Sequence, residues 1–409
     1  MSLMRTLFPF RQLAVAASLL ALCGLAFSQA TQIPAQPTTL VSTADRMISY
    51  RMQNHMWQTA DGATHVIINR GPGRQGRSLV MYSTFDGGAT WVDSGVSLPG
   101  SNGSTTSDGY LDGDTLFMAY DVGTGVIRAA RLQYDPATQA WSLAGTETVY
   151  EATTAAALTP ALAADGLGRR WLAFTHQDKA TGNFSIKLMR QPAAGGAWVD
   201  TGLVFGPVDN LSNERSGRPV RTSRGIGMVF QVKAETFWAE RSDQWPLDAK
   251  WPRAPIYTKT TPSNDPYGTH FSVVADADYN LHLASVDGGQ VVYSRYLVAD
   301  RVWTTRVLTD NIKASYLQAT MVDGQLMIVT NSYTNLSVYQ STDGGTTFSR
   351  THALTHPAPV DPIDYNRPRL ETPAYSTSPV PVLQQYVDGK KQRAMFFAVP
   401  VVTAPAAAR

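Results

Sequence analysis

Six residues carry the chemistry this sequence offers. His55, His270 and Tyr316 can move protons, and Arg51, Arg218 and Arg369 can hold an anion. His55 and Arg218 each stand six residues before a turn signal, Asp61-Gly62 and Arg224-Gly225. His270 and Tyr316 stand one or two residues further ahead of Asp278 and Asp323, and Arg369 takes the equivalent place in the last unit. A guanidinium presents a paired donor edge to a carboxylate and keeps its charge. Imidazole and phenol exchange protons as base and acid. Brought to one point, such a set would serve cleavage of an acidic sugar polymer gripped by its carboxylate. Taken singly, each side chain has a commoner use as a hydrogen-bonding group on a polar strand end.

Other signals carry less chemistry. Gly71-Pro72-Gly73-Arg74-Gln75-Gly76 has the literal spacing of a dinucleotide-binding loop. It contains Pro and leads into a strand, so the helix that would cradle a phosphate is missing. Asp108, Asp112 and Asp114 cluster without the spacing of a calcium loop. There is no H-E-x-x-H and no nucleophile elbow. His65 and His282 follow their turns and read as structural residues of second strands. No metal and no cofactor is expected.

The elements that would position the six residues are repeats. An aromatic residue after a polar turn recurs at Trp91, Trp141, Trp198, Trp251, Trp303 and Phe348, at intervals of 50, 57, 53, 52 and 45 residues. A second marker keeps step: Asp61-Gly62, Asp112-Gly113, Asp165-Gly166, Arg224-Gly225, Asp278 and Asp323-Gly324 precede these aromatics by 30, 29, 33, 27, 25 and 25 residues. Each unit holds β-branched and aromatic runs bounded by Gly, Asp and Asn, such as His65–Asn69 and Leu79–Ser83. Helical periodicity is absent. Four strands per unit at this length predicts an all-β propeller. A seventh unit with three strands, Arg367–Tyr375, Val380–Val387 and Gln392–Val401, follows. Thr38–Ser42 offers its missing outer strand, which would close the ring and leave no open sheet edge. Seven blades are therefore expected, with six as the alternative.

Two of the turns match each other closely: Thr84–Trp91 reads T-F-D-G-G-A-T-W and Ser341–Phe348 reads S-T-D-G-G-T-T-F. Both take the form S/T-x-D-x-G-x-T-W/F, and in this the chain resembles the Asp-box (BNR-repeat) sialidase-like β-propellers. That resemblance implies a propeller scaffold, with Asp86 and Asp343 tying their turns and Trp91 and Phe348 packing between sheets. It also implies roles for residues. Tyr50-Arg51-Met52-Gln53 resembles the family's Y/F-R-I-P strand, so Arg51 would be one arginine of a carboxylate-binding triad. Ser315-Tyr316 looks like the strand of the nucleophilic tyrosine, and Glu214, Arg215, Arg218, Arg367 and Arg369 would supply the other partners. Gln53 replaces the motif's Pro, and Gly71–Arg77 holds no Asp to act as the acid. The strand starts Asn54-His55-Met56-Trp57 and His270-Phe271-Ser272-Val273 are also similar to those of seven-bladed polysaccharide lyases, the ulvan lyases among them.

Composition sets the context. Arg5 and Arg11 precede an apolar run, Leu13–Phe27, and Ser28-Gln29-Ala30 has the small-x-small form of a cleavage site. Residues 1–30 are expected to be a signal peptide, which predicts a secreted or periplasmic protein. The sole cysteine, Cys23, lies inside that run, so the mature chain would carry no disulfide and no thiol chemistry. The net charge of +2 includes Arg5 and Arg11. A near-neutral mature chain without a basic stripe is a poor partner for nucleic acid. No later segment reads as a membrane span. Residues 31–44 are expected to be the ring-closing segment, 45–402 the propeller and 403–409 a tail. The expected partner is an extracellular, acidic glycan, met by a monomer that is either a sialidase-like hydrolase, a polysaccharide lyase or a non-catalytic binder.

Overall fold

The computed structural model describes residues 30–402, apart from 45, 72–77, 124, 194, 210–214, 262–268, 311, 332–334 and 356–368. These residues are almost wholly strands and turns, paired into seven sheets. Blade 1 runs from Met56–Gln58, its inner strand, to Val92–Ser97, and blade 2 from Ser107–Asp112 to Ala140–Glu151. Blade 3 runs from Ala155–Ala164 to Val199–Asp209, and blade 4 from Arg215–Thr222 to Arg253–Thr258. Blade 5 runs from Phe271–Ala275 to Val302–Val307, and blade 6 from Tyr316–Val322 to Ser349–Thr355.

Blade 7 is assembled from both ends of the chain. Leu370–Glu371, Val380–Asp388 and Lys391–Val399 supply three strands, and Gln36–Ser42 adds antiparallel to the last, with Gln36 opposite Phe396 and Ser42 opposite Gln392. The inner strand expected over Arg367–Tyr375 is paired within the blade only at Leu370 and Glu371. Its continuation leaves blade 7, and Tyr375–Ser376 pairs parallel with Met321–Val322 of blade 6. Thr31–Pro34 adds a further strand, parallel to Ser349–Thr355, at the outer edge of blade 6.

The core shows why the count is seven. Buried apolar side chains form seven clusters, and each joins two neighbouring blades. The cluster around Leu40, Val66, Trp91, Leu383 and Phe396 joins blade 7 back to blade 1. A blade is covered on both faces, so its inner and middle strands read as continuous apolar runs. All seven residues of Tyr316–Val322 are buried, whereas Val302–Val307 on a rim is largely exposed.

The recurring aromatics are the wedges between blades. Trp91 packs edge-on against Phe396 with centroids 5.8 Å apart, and Phe348 against Tyr293 at 4.9 Å. Trp251 meets Trp171 at 5.7 Å and Trp303 meets Trp238 at 5.8 Å, each time across to the preceding blade. Trp141 reaches His65, and its indole N–H donates to Nδ1 at 3.0 Å. The two matching turns share one hydrogen-bond pattern. Asp86 accepts the Thr90 N–H at 2.9 Å and the Thr90 hydroxyl at 2.6 Å, and Asp343 accepts the same pair from Thr347 at 2.8 and 2.6 Å. Glycine is required where these turns meet the preceding blade. A Cβ on Gly88 would lie 2.1 Å from the Phe396 ring, and one on Gly345 would lie 1.9 Å from the Tyr293 hydroxyl.

Candidate functional site

The inner strands run side by side around the axis, so their first residues ring one end of the channel. A short backbone segment, Arg46–Asn54, lies across that end and is gripped from five blades. Gln392 and Gln385 of blade 7 accept the N–H groups of Met47 and Ile48 at 2.6 and 3.1 Å. Gln53 donates to the Pro160 carbonyl of blade 3 at 2.7 Å, and Asn54 N–H is accepted by Asp108 of blade 2 at 2.7 Å. Blades 4 and 6 reach it through the side chains that the sequence singled out.

Arg218 Nη1 donates to Asp108 Oδ1 at 2.9 Å and also to the Met52 carbonyl. Arg369 Nη1 donates to the Ile48 carbonyl at 3.1 Å and to the Ser49 carbonyl. The Tyr316 hydroxyl donates to the Ser49 carbonyl at 3.3 Å, and the Arg51 guanidinium lies 4.3 Å from the centre of the Tyr316 ring. Four of the six candidates thus meet on residues 48–52. Arg51, Arg218 and Tyr316 are buried there, at 4%, 7% and 2% exposure, so none of the three opens to solvent.

The other two candidates lie on neighbouring strands. His55 Nδ1 pairs with Glu371 Oε2 at 3.0 Å, and its backbone N–H is accepted by Glu371 Oε1 at 3.1 Å. His55 Nε2 is buried and has no hydrogen-bond partner among the described residues. His270 is buried immediately ahead of Phe271, where the inner strand of blade 5 begins.

Burial dominates the electrostatics. It pushes the Tyr316 phenol up to about 12, with Arg369 and Arg51 opposing. The same cause raises the Glu371 carboxyl, with His55 opposing, and lowers the Arg369 guanidinium. A phenol held this high stays protonated at neutral pH and is a poor nucleophile without a base to take its proton.

Two carboxylates central to this mouth had no assigned role from sequence. Glu371 stands two residues after Arg369, and that period-two spacing is a signal which could have found it. Asp108, read in sequence as part of a loose acidic cluster, accepts from Asn54 and Arg218 on Oδ1 and from Leu162 N–H on Oδ2 at 2.7 Å. It is a buried structural hub, and no cluster of metal ligands occurs among the described residues. Arg215 is directed to the Phe184 and Pro207 carbonyls, at 2.6 and 2.5 Å, between blades 3 and 4. Glu214, Arg367, residues 72–77 and the expected signal peptide up to residue 29 lie outside the described residues. No helix among the described residues is long and apolar enough to cross a membrane.

No family model matches this sequence, and no curated protein matches it. Solved structures do resemble it in shape. The chain is similar to sialidase-like β-propellers. A sialidase from Trypanosoma rangeli is 11% identical over 77% of this chain and 58% of its own, with a TM-score of 0.49. An alpha-L-arabinofuranosidase from Fusarium graminearum is 12% identical over 74% of this chain and 92% of its own, with a TM-score of 0.46. The Aleuria aurantia lectin is 10% identical over 77% of this chain and 99% of its own, with a TM-score of 0.47. The ring of seven blades described above rests on strand pairing in the chain itself.

Proposed function

We propose that the protein is an exported, monomeric β-propeller that recognises an extracellular acidic glycan, and that its entrance mouth is built for scaffold and binding and not for turnover. One observation carries this: two of the arginines and the phenol that catalysis would need are engaged within the chain. Arg218 and Arg369 hold backbone carbonyls, and Tyr316 is buried and protonated against Ser49. Export is inferred from Arg5, Arg11 and the Leu13–Phe27 run. Glycan recognition is inferred from the resemblance to sialidase-like β-propellers, whose scaffold form the two matching turns take. An acidic ligand is inferred from the residue types Arg51, Arg218 and Arg369 at this end, since a guanidinium is suited to pair with a carboxylate. Calorimetry of the mature chain with uronate and sialylated oligosaccharides should show binding that survives Tyr316→Phe, with no product formed. Release of sialic acid, or of an unsaturated uronate absorbing in the near ultraviolet, would overturn the non-catalytic reading if Tyr316→Phe abolished it.

A second reading, an acidic-glycan hydrolase or lyase, is favoured by the His55–Glu371 pair. A carboxylate on Nδ1 orients the ring and leaves Nε2 to exchange a proton, which is the arrangement of a general base. In this reading residues 46–53 move aside. His55, His270 and Tyr316 then carry protons, and Arg218 and Arg369, released from the carbonyls of that segment, hold the substrate carboxylate, while Arg51 travels with the segment. Turnover abolished by His55→Gln with binding retained would establish it.

A further inference from the structure

The far end of the channel carries a second feature. There the inner strands of blades 4, 5 and 6 end, and a cavity of about 430 Å³ opens between them. Its wall includes Met321, Tyr279, Tyr375, Arg221, Asp276 and Asp323. Tyr375 is 58% exposed, more than any other aromatic residue among the described residues. It is nevertheless fixed at both ends. Its backbone pairs with Met321, and its hydroxyl accepts the Ala275 N–H at 3.3 Å. The ring therefore presents a pinned, solvent-facing surface and not a free-swinging side chain. Tyr279 adopts φ +63°, a conformation that bulky residues rarely take, and Arg221 lies 5.7 Å from the centre of its ring. Asp323 also has positive φ, at +47°, and accepts the Ser378 N–H at 2.9 Å.

We propose that this far-end pocket binds a neutral pyranose ring, stacked on Tyr375 with its hydroxyls bonded to Asp323 and Arg221. A sugar ring has an apolar face edged by hydroxyls, and it matches a fixed aromatic surface bordered by a few polar groups. The cavity falls within the size range of small-ligand sites. The charges favour a neutral ligand: Asp276 and Asp323 face one guanidinium, so a uronate would meet net repulsion. Asp276 is committed to its own turn, accepting from Asp278, Asn280 and His282, which leaves Asp323 as the carboxylate for ligand hydroxyls.

This site deepens the glycan-recognition reading and rests on it, but it lies at the opposite end of the channel from Tyr316. The test is saturation-transfer NMR of the mature chain with glucose, galactose and mannose as probes. The expected result is transfer to at least one hexose, reduced at least tenfold in Tyr375→Ala and unchanged in Val302→Thr on the exposed rim of blade 5, with thermal melting showing both variants folded. Hexose transfer that persists in Tyr375→Ala, or no transfer from any hexose, overturns the site. Tyr375-dependent binding of a proline-rich peptide in place of a sugar also overturns it. If acidic oligosaccharides still bind while Tyr375→Ala has no effect, the far-end site falls and the proposed function stands.

Discussion

Arg218 illustrates how one residue can fit two roles. From sequence it is a cation placed to receive a substrate carboxylate; in the structure its carboxylate is Asp108, within the same chain. Both are buried, and Asp108 also holds two backbone N–H groups. Removing one partner of a buried pair leaves the other charge uncompensated, which typically costs about 3–5 kcal/mol. Arg218→Ala should therefore lower the urea midpoint strongly, and adding Asp108→Asn should recover part of the loss. A midpoint within error of wild type would mean that the pair is open to water and free for a ligand. The sequence showed the residue type and its place on a first strand, six residues before a turn. It could not show the partner, because Asp108 and Arg218 are 110 positions apart and meet only when the ring forms.

At the scale of the element, the contact between blades 1 and 2 carries a titratable network. His65 Nδ1 accepts from the Trp141 indole at 3.0 Å and from the Ser83 hydroxyl at 2.8 Å, which puts the ring proton on Nε2, towards Thr59 at 3.0 Å. Burial lowers the His65 pKa from 6.5 to about 4, against the opposing charge of Asp61. As pH falls below 6.5 the unfolded chain takes up this proton before the folded one. The contribution is whole above pH 6.5 and is lost progressively towards pH 4, on the order of 3 kcal/mol in all. His176 and His352 are also lowered by burial and act in the same direction. Urea unfolding at pH 7 and pH 4.5 should thus show wild type losing more stability than His65→Gln over this window. Equal losses would show that His65 is not the residue responsible. The aromatic wedges of these contacts were legible because they recur in sequence; the imidazole beneath Trp141 was legible only as a structural residue, without its partner.

For the whole molecule, closure is the decisive feature. Gln36–Ser42 covers the free edge of Lys391–Val399, and Leu40 enters the cluster that joins blade 7 to blade 1. Without that strand, blade 7 would expose a row of unpaired backbone groups, and such edges recruit other chains. A chain shortened to begin after Ser42 should melt at lower temperature and scatter light on warming, compared with a chain beginning at Thr31. Unchanged melting and no association would mean that the ring holds without its outer clasp.

The sequence by itself determined the repeat and the all-β class. Those depend on local features, namely turns that need Gly or Asp and apolar runs that must be covered on both faces, and each is written within about fifty residues. It also placed Arg51, Arg218, Arg369 and Tyr316 on the first strands of their units, which in a propeller line the channel. Tertiary structure decided what those side chains touch. Residues 46–54 cross the mouth and supply carbonyl oxygens to Arg218, Arg369 and Tyr316. At the other end, the chain leaving Glu371 abandons blade 7 and fixes Tyr375 beside Met321. Neither course follows from periodicity, because a segment that pairs with nothing nearby in sequence is placed only by the groups that the closed ring leaves unsatisfied.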